Sequence, residues 1–502
     1  MKPLGVNELI ARRLGLLTHD EAVAFISAQS DVSKSEGLSS HGRIKLQCNG
    51  ATVYATLYQV VSELVGLDEI GLSEYAWVKL GLSGPQPVSV SSAPPLQSMT
   101  HVRAKMFGQE LDACAATEIV HDIVAGRFSD IQLSSLVAAC ASPVLTPAET
   151  IALTRAMVET GKRLEWPPGR VFDKHCIGGL PGNRTTPIVV AIATCFGLKM
   201  PKTSSRAITS PAGTADTMET LTTVSIGIDE MRRVVDKTGG CFVWGDSVGF
   251  SPADTSVIRI ERALNLDVDG LLVASVLSKK IAAGATHVVI DIPVGPTAKM
   301  RNIAAANQLS GLLHEVAAAF GLQIRAVVTD GRQPVGRGIG PGPEAADILA
   351  VLSDQPEELS DLANRSCVLA GVLLEMAGVC EAGRGAALAQ SALKDGRARR
   401  KFEEICHAQG GLKAPPTAAF KRPVRATRAG RVTSINNRLI ARIAKLTGAP
   451  EDASAGVRLQ VRLGDRLRQG DVLFTLMSET PGKIAYALDH VLENPSVIGI
   501  SR

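Results

Sequence analysis

The run Thr286-His287-Val288-Val289-Ile290-Asp291-Ile292 is dominated by β-branched residues and predicts a strand. Behind it, residues 299–320 repeat apolar positions at helical spacing, and residues 324–329 return to a strand pattern. Similar alternation runs from Pro187 to Phe420, so this part of the chain is expected to form an α/β core with helices laid on its sheet.

The flanks read differently. Upstream, residues 113–164 carry apolar residues at helical spacing, as in Ile119, Ile123 and Val124, with stop signals at Gly126, Pro143 and Gly161. Thr146 before Pro147 suits a helix N-cap. Further upstream, residues 43–46 and 52–57 read as short strands, and the Gly-, Ser- and Pro-rich residues 81–95 read as a linker. Downstream of Lys421-Arg422-Pro423, short strands return with turn glycines at Gly430, Gly464 and Gly470, resembling a barrel-sandwich module. The expected organisation is therefore a β-rich domain over 1–85, a helical domain over 96–165 joined by part of 250–280, an α/β domain over 166–420, and a C-terminal α+β domain over 421–502.

Composition narrows the partners. The chain has 502 residues, 45% of them hydrophobic and 20% charged, enough to bury several cores. A formal charge of +4 is too balanced to suit a nucleic-acid polymer or an anionic membrane, while small anions remain compatible. Nine cysteines, an odd number without a CxxC pair or zinc spacing, fit reduced thiols in the cytoplasm. Glu8, Arg12 and Arg13 interrupt any apolar signal-like stretch, and no later run approaches the roughly 20 residues of a membrane span.

Two segments carry the chemistry. In Asp173-Lys174-His175-Cys176-Ile177-Gly178-Gly179-Leu180-Pro181-Gly182-Asn183-Arg184-Thr185-Thr186, a cation and glycines precede an apolar helical run. Glycines let backbone N–H groups approach an anion, and a helix N-terminus adds a favourable dipole. A plain strand-to-helix turn with solvated Lys174 and His175 explains the same spacing. The second segment, Ser204-Ser205-Arg206-Ala207-Ile208-Thr209-Ser210-Pro211-Ala212-Gly213-Thr214-Ala215-Asp216-Thr217-Met218-Glu219, again sets hydroxyls, an arginine and a glycine before a helix. Two such turns can enclose one phosphate. The plainer reading caps a helix with Thr214 or Asp216 and lets Glu219 reach back.

Together these segments resemble the signatures of the thymidine and pyrimidine-nucleoside phosphorylase family, and the likeness spans about residues 96–490. The Pro-Gly-Asn insertion, the Ala-Ile-Thr-Ser-Pro-Ala-Gly-Thr wording and the N-terminal extension are similar to its AMP phosphorylase branch. The resemblance implies a helical domain facing a larger α/β domain across a cleft, and a pentosyltransferase that splits a nucleoside or nucleotide with inorganic phosphate as co-substrate and no other cofactor. It puts phosphate near Lys174, Thr186, Ser204 and Thr214, and the nucleoside or nucleotide near Gly179 and Ser205, Arg206, Ala207, Ile208, Thr209 and Ser210. The family usually carries serine where this chain has Cys176, and a thiol is the weaker hydrogen-bond partner.

A third stretch, residues 262–280, has an acidic turn before an amphipathic run in which Ser275 and Lys279 share a helix face. By itself it reads as a capped helix with a solvated basic end. By resemblance, Arg262, Ser275 and Lys279 contact the base, Asp267 is the proton donor, and Lys299 is a further nucleotide contact. Asp267 would need burial or a second carboxylate such as Asp269 to act as an acid, whereas His175 titrates near neutrality without tuning and ranks second. No metal site is expected. Residues 330–342 lack G-x-G-x-x-G spacing and resemble an ordered loop of the family's large domain.

The expected reaction is thymidine plus phosphate to thymine plus 2-deoxyribose 1-phosphate, with phosphorolysis of AMP or another nucleoside monophosphate as the alternative. The family suggests a homodimer or larger assembly. A phosphoribosyltransferase would need a magnesium-binding acidic pair, for which no convincing candidate stands near the glycines. A non-catalytic nucleotide-binding protein is the remaining rival, opposed by the presence of Lys174, Arg206, Asp267 and Lys279.

Overall fold

The computed structural model describes residues 7–142, 144–207, 210–353 and 357–501; Pro143, Ile208 and Thr209 lie outside the described residues. The chain divides into two compact units, one of residues 1–145 with 259–268, the other of residues 146–258 with 269–502.

In the first unit, strands β1 (Glu8–Arg13), β2 (Val23–Ser27), β3 (Arg43–Cys48), β4 (Ala51–Val60), β5 (Glu69–Leu72) and β6 (Pro87–Ser92) close into a barrel ordered β1-β5-β2-β4-β3-β6. This corrects the linker expected over residues 81–95. Strand β6 pairs with both β1 and β3, and its Val88 and Val90 are fully buried. Ser89 and Ser91 occupy the outward positions, so inward–outward alternation was hidden in a Ser-rich composition. Helices Ser98–Met106, Ala113–Val124 and Asp130–Ala141 complete this unit, and Arg259 clamps Asp130 with two hydrogen bonds of 2.5 and 2.7 Å.

The next helix, Pro147–Glu159, starts as its sequence indicates: Thr146 and Glu149 form a reciprocal capping box, with Pro147 in the first turn. It belongs to the second unit, packed along helix Asp269–Ala282.

The second unit is built on parallel strands. Strand β7 (Phe172–Cys176) pairs with β10 (His287–Val294), which pairs with β11 (Gln323–Asp330). Strands β8 (Met200–Ser204) and β9 (Gly240–Trp244) form a parallel pair joined to β7 by the bridge Val171–Lys199. Alternation along β10 sends Val288, Ile290 and Ile292 into one core with helices Asp269–Ala282 and Ile303–Ala318. Val289 enters the opposite core with helix Thr185–Cys195, whose residues Ile188 to Ala193 are all fully buried. Helices thus cover both faces, the arrangement that parallel strands require.

The C-terminal segment forms two antiparallel sheets. One is ordered β12 (Gly338–Ile339), β15 (Gly456–Leu459), β17 (Val472–Ser478), β13 (Phe420–Arg425), and the other β16 (Arg466–Leu467), β14 (Gly430–Ile435), β18 (Ile498–Ser501). Because β12 comes from the 330–342 loop, that loop is anchored to the C-terminal core through buried Ile339. Among the described residues no helix is long and apolar enough to cross a membrane.

Candidate active site

The candidate residues of the second unit gather at the C-terminal ends of its parallel strands, where crevices in open α/β sheets bind ligands. Strand β7 sorts them by face. Phe172, Lys174 and Cys176 point toward helix Thr185–Cys195, and Asp173 and His175 point the other way.

Lys174 is completely buried. Its Nζ donates to Thr185 Oγ1 at 2.8 Å and Thr186 Oγ1 at 3.4 Å, and it makes no ion pair among the described residues. Burial therefore pushes the Lys174 pKa down, opposed by Cys176 and Asp291 and assisted by Arg184 and Arg365. The adjacent helix begins at Thr185 without a side-chain cap. A buried ammonium without a directly bonded carboxylate among the described residues, two hydroxyls and an uncapped helix N-terminus form a receptor for a small dianion.

The glycine loop shapes this receptor. Gly179 has φ +75°, and a Cβ there would stand 2.5 Å from the backbone nitrogen of Lys299, so only glycine permits the contact that brings Lys299 beside the loop. Gly213 likewise abuts the backbone of Ser205 and Arg206, where a Cβ would meet Ser205 O at 2.4 Å. Ser204 ends β8, and Thr214 begins helix Thr214–Glu219.

Arg184 ties the two segments together, a role that was not read from the sequence although the residue lies inside the first motif. Its guanidinium reaches Glu344 Oε2 at 2.5 Å, Thr214 Oγ1 at 3.1 Å and Ala212 O at 2.9 Å. Glu344 is buried and also accepts from Thr217 Oγ1 at 3.0 Å; burial raises its pKa, with Arg184 opposing. Only the fold brings positions 184 and 344 together.

The expected cap of the second helix is corrected. Gly213 is the N-cap and Thr214 the first helical residue, while Asp216, not Glu219, reaches back, accepting from Gly213 N at 2.8 Å and Ala207 N at 2.6 Å. Glu219 instead clamps Arg206 at 2.5 and 2.8 Å, and the guanidinium lies 4.6 Å from the Trp244 ring centroid. The Glu219 hydrogen bond raises the Arg206 pKa, fixing it as a permanent cation at the rim. Ser210 donates to Ala212 O at 2.7 Å, closing the turn.

On the opposite face, Asp173 is buried between two lysines, with Lys202 Nζ at 3.3 Å and Lys280 Nζ at 2.7 Å. Lys279 donates to Asp254 Oδ2 at 2.6 Å and Ser275 Oγ at 3.3 Å, so the expected Ser/Lys face exists and is already hydrogen-bonded. Burial, followed by the charges of Lys280, Lys202, Lys279 and Lys174, lowers the His175 pKa well below the ordinary histidine value. The ring is therefore neutral near pH 7 and a poor proton donor, contrary to its rank as second acid. The sign of its effect on stability follows: below about pH 6.5 the unfolded chain takes up a proton that the folded ring refuses, so stability falls as pH drops. We expect the unfolding free energy of wild type to decline by up to about 1.4 kcal/mol per pH unit between about pH 6.5 and 5, and His175→Asn to flatten that decline. Parallel calorimetric profiles would refute this.

Arg262 and Asp267 belong to the first unit, where both side chains are exposed.

Residues 100–161 match the helical bundle domain, and residues 169–399 the α/β domain, of a glycosyl transferase family. The chain is 51% identical over 500 residues to a protein of a Polaromonas species named "Putative thymidine phosphorylase", covering 100% of this chain and 98% of the relative. It is 52% identical to a Maricaulis maris protein of the same name, covering 98% and 95%. Among solved structures, anthranilate phosphoribosyltransferase from Thermus thermophilus superimposes with a TM-score of 0.52 at 20% identity, covering 61% of this chain and 98% of that one, a likeness of fold alone. With half of all positions shared end to end and both domains matched in order, this chain belongs to the glycosyl transferase family that includes the thymidine phosphorylases.

Proposed function

We propose that this protein is a phosphorylase that cleaves the N-glycosidic bond of thymidine with inorganic phosphate, yielding thymine and 2-deoxyribose 1-phosphate. The observation that carries the reading is Lys174: a fully buried ammonium with only hydroxyl partners, at an uncapped helix N-terminus beside a glycine loop. Such a group destabilises the free protein and is compensated when an anion binds.

In this reading phosphate binds against Lys174, Thr186, Ser204 and Thr214, and its oxygen attacks C1′ as the C1′–N bond breaks through an oxocarbenium-like sugar. Ser275 and Lys279, with Arg262, hold the base. Asp267 supplies the proton to the departing ring nitrogen. Phosphate is a co-substrate and no cofactor takes part. The enzyme works in the cytoplasm as a homodimer or larger assembly.

A second reading takes a nucleoside 5′-monophosphate, including AMP, and releases ribose 1,5-bisphosphate with the free base. It draws support from Lys299, whose backbone lies against Gly179 and so adds a lysine beside the loop. One assay separates the readings: base release from thymidine, uridine, AMP, CMP and UMP, each with and without phosphate. Phosphate-dependent release from thymidine supports the first and preference for a monophosphate the second; no release from any supports nucleotide binding without catalysis. In the active case Asp267→Asn should lower kcat by about 100-fold or more with little change in either KM; an unchanged kcat would remove Asp267 from the mechanism.

A further inference from the structure

Asp291 is fully buried on β10, directly beside Cys176 of β7 in the strand register. It therefore shares the sheet face of Lys174 and Cys176. Thr329, two residues beyond its partner on β11, lies on the same face and donates to Asp291 Oδ1 at 2.6 Å. Asn183, at the end of the glycine loop, donates through Nδ2 to Asp291 Oδ2 at 2.9 Å and contacts Cys176 Sγ at 3.2 Å. Gly178 N also reaches that sulfur, at 3.5 Å. The Asn183 carbonyl oxygen is buried and has no hydrogen-bond partner.

A buried carboxylate that spends both oxygens on one strand hydroxyl and one loop amide is a poor candidate for contact with an anionic substrate. It is well suited to fixing the residues that make such contact. We infer that Asp291 is a positioning residue of the phosphate site, holding the Asn183 amide and the Cys176 thiol against the two ends of the glycine loop and providing the carboxylate charge on the face of Lys174. The inference rests on the phosphorylase reading and adds a residue to it.

Two consequences follow. With Asn183 held by its amide nitrogen, the loop from Gly178 to Asn183 is pinned at both ends, so loss of Asp291 should loosen phosphate binding more than catalysis. Asp291 also acts electrostatically. Lys174 faces Cys176 and Asp291, which favour its charged form, and Arg184 and Arg365, which oppose it. The Cys176 thiol is pushed up to about 12, by burial first and Asp291 second, so it stands protonated beneath the loop.

Asp291→Asn preserves shape and removes the charge. We expect the phosphate KM to rise about tenfold, the equivalent of one charge-assisted hydrogen bond, with kcat and the nucleoside KM within about threefold. The alkaline limb of the phosphate profile should move to lower pH as Lys174 loses its proton sooner. Iodoacetamide labelling of Cys176, read by peptide mass spectrometry, should quicken by about threefold or more at pH 8.5 as thiolate becomes accessible. Thr329→Val, which keeps the charge, should raise the phosphate KM by only about twofold and leave the pH limb in place.

A folded Asp291→Asn protein with unchanged phosphate KM and Cys176 labelling overturns the inference, as does an equal loss in kcat and both KM values, the mark of general disruption. If that variant does not fold, Asn183→Ala decides: a raised phosphate KM with an unmoved pH limb upholds the inference, and an unchanged KM overturns it. Should the wild type prove inactive, the phosphorylase reading fails on its own. Protection of Cys176 from iodoacetamide by inorganic phosphate, present in the wild type and weakened about tenfold in Asp291→Asn, then tests the positioning role without turnover; equal protection in both overturns it.

Discussion

Lys174→Met is expected to lower kcat/KM for phosphate between about 100- and 1,000-fold while leaving the protein as stable as the wild type, or more stable by about 1 kcal/mol. The two effects share one cause. Lys174 is completely buried and its ammonium meets only the hydroxyls of Thr185 and Thr186. Keeping that charge dehydrated costs the free protein, as its lowered pKa records. Methionine matches the aliphatic stem and removes the cost, along with the attraction for phosphate. Steady-state kinetics across phosphate concentrations and thermal melts in phosphate-free buffer check both arms. Lost activity with a sharply lower melting temperature would mean that Lys174 is primarily a structural strut.

Asp173→Asn should have the opposite profile, with a large loss of stability. Among the described residues Asp173 is the one carboxylate within ion-pair distance of both Lys202 and Lys280, and all three side chains are buried. Removing its charge leaves two buried ammoniums opposing each other, a loss of about 3 to 5 kcal/mol near neutrality. Lys280 already has a lowered pKa from burial, and in the variant it would lose its proton more readily still. The sign of the pH dependence follows. Below the ordinary lysine pKa the unfolded chain holds a proton that the folded site releases, so the defect should deepen as pH falls and shrink as it rises. Urea melts at pH 6 and pH 9 would show a gap from wild type that narrows at the higher pH, and Lys280→Met in the same chain should restore part of the loss. A gap independent of pH would show that the shape of the pairing, not its charge, is what Asp173 contributes.

Much of this molecule was legible from local pattern because the relevant physics is local. The β-branched run at Thr286 became β10, residues 324–329 fell within β11, and residues 299–320 became a helix that starts at Ile303, since the first residues of that stretch form the turn that places Lys299. Thr146, Pro147 and Glu149 spelled out a helix start that the fold keeps unchanged. Ser275 and Lys279 met at 3.3 Å because a helix brings positions four apart together. Residues 81–95 misled for an equally physical reason: serine and proline are common both in linkers and on the outer face of a closing strand, and only pairing with β1 and β3 tells the two apart.

By itself, the sequence determined the α/β alternation, the glycine loop with its lysine, and the family, all properties of neighbouring residues or of motif wording. The tertiary structure alone decided which of those residues face one another. Strand alternation put Lys174 and His175 on opposite faces of β7, although they adjoin in sequence. Sheet register set Asp291 beside Cys176, and helix packing carried Glu344 to Arg184 across 160 positions. Buried charges cannot be read from spacing, because whether an ammonium is solvated, paired or left exposed to an incoming anion depends on groups that only the folded chain brings within a few ångströms.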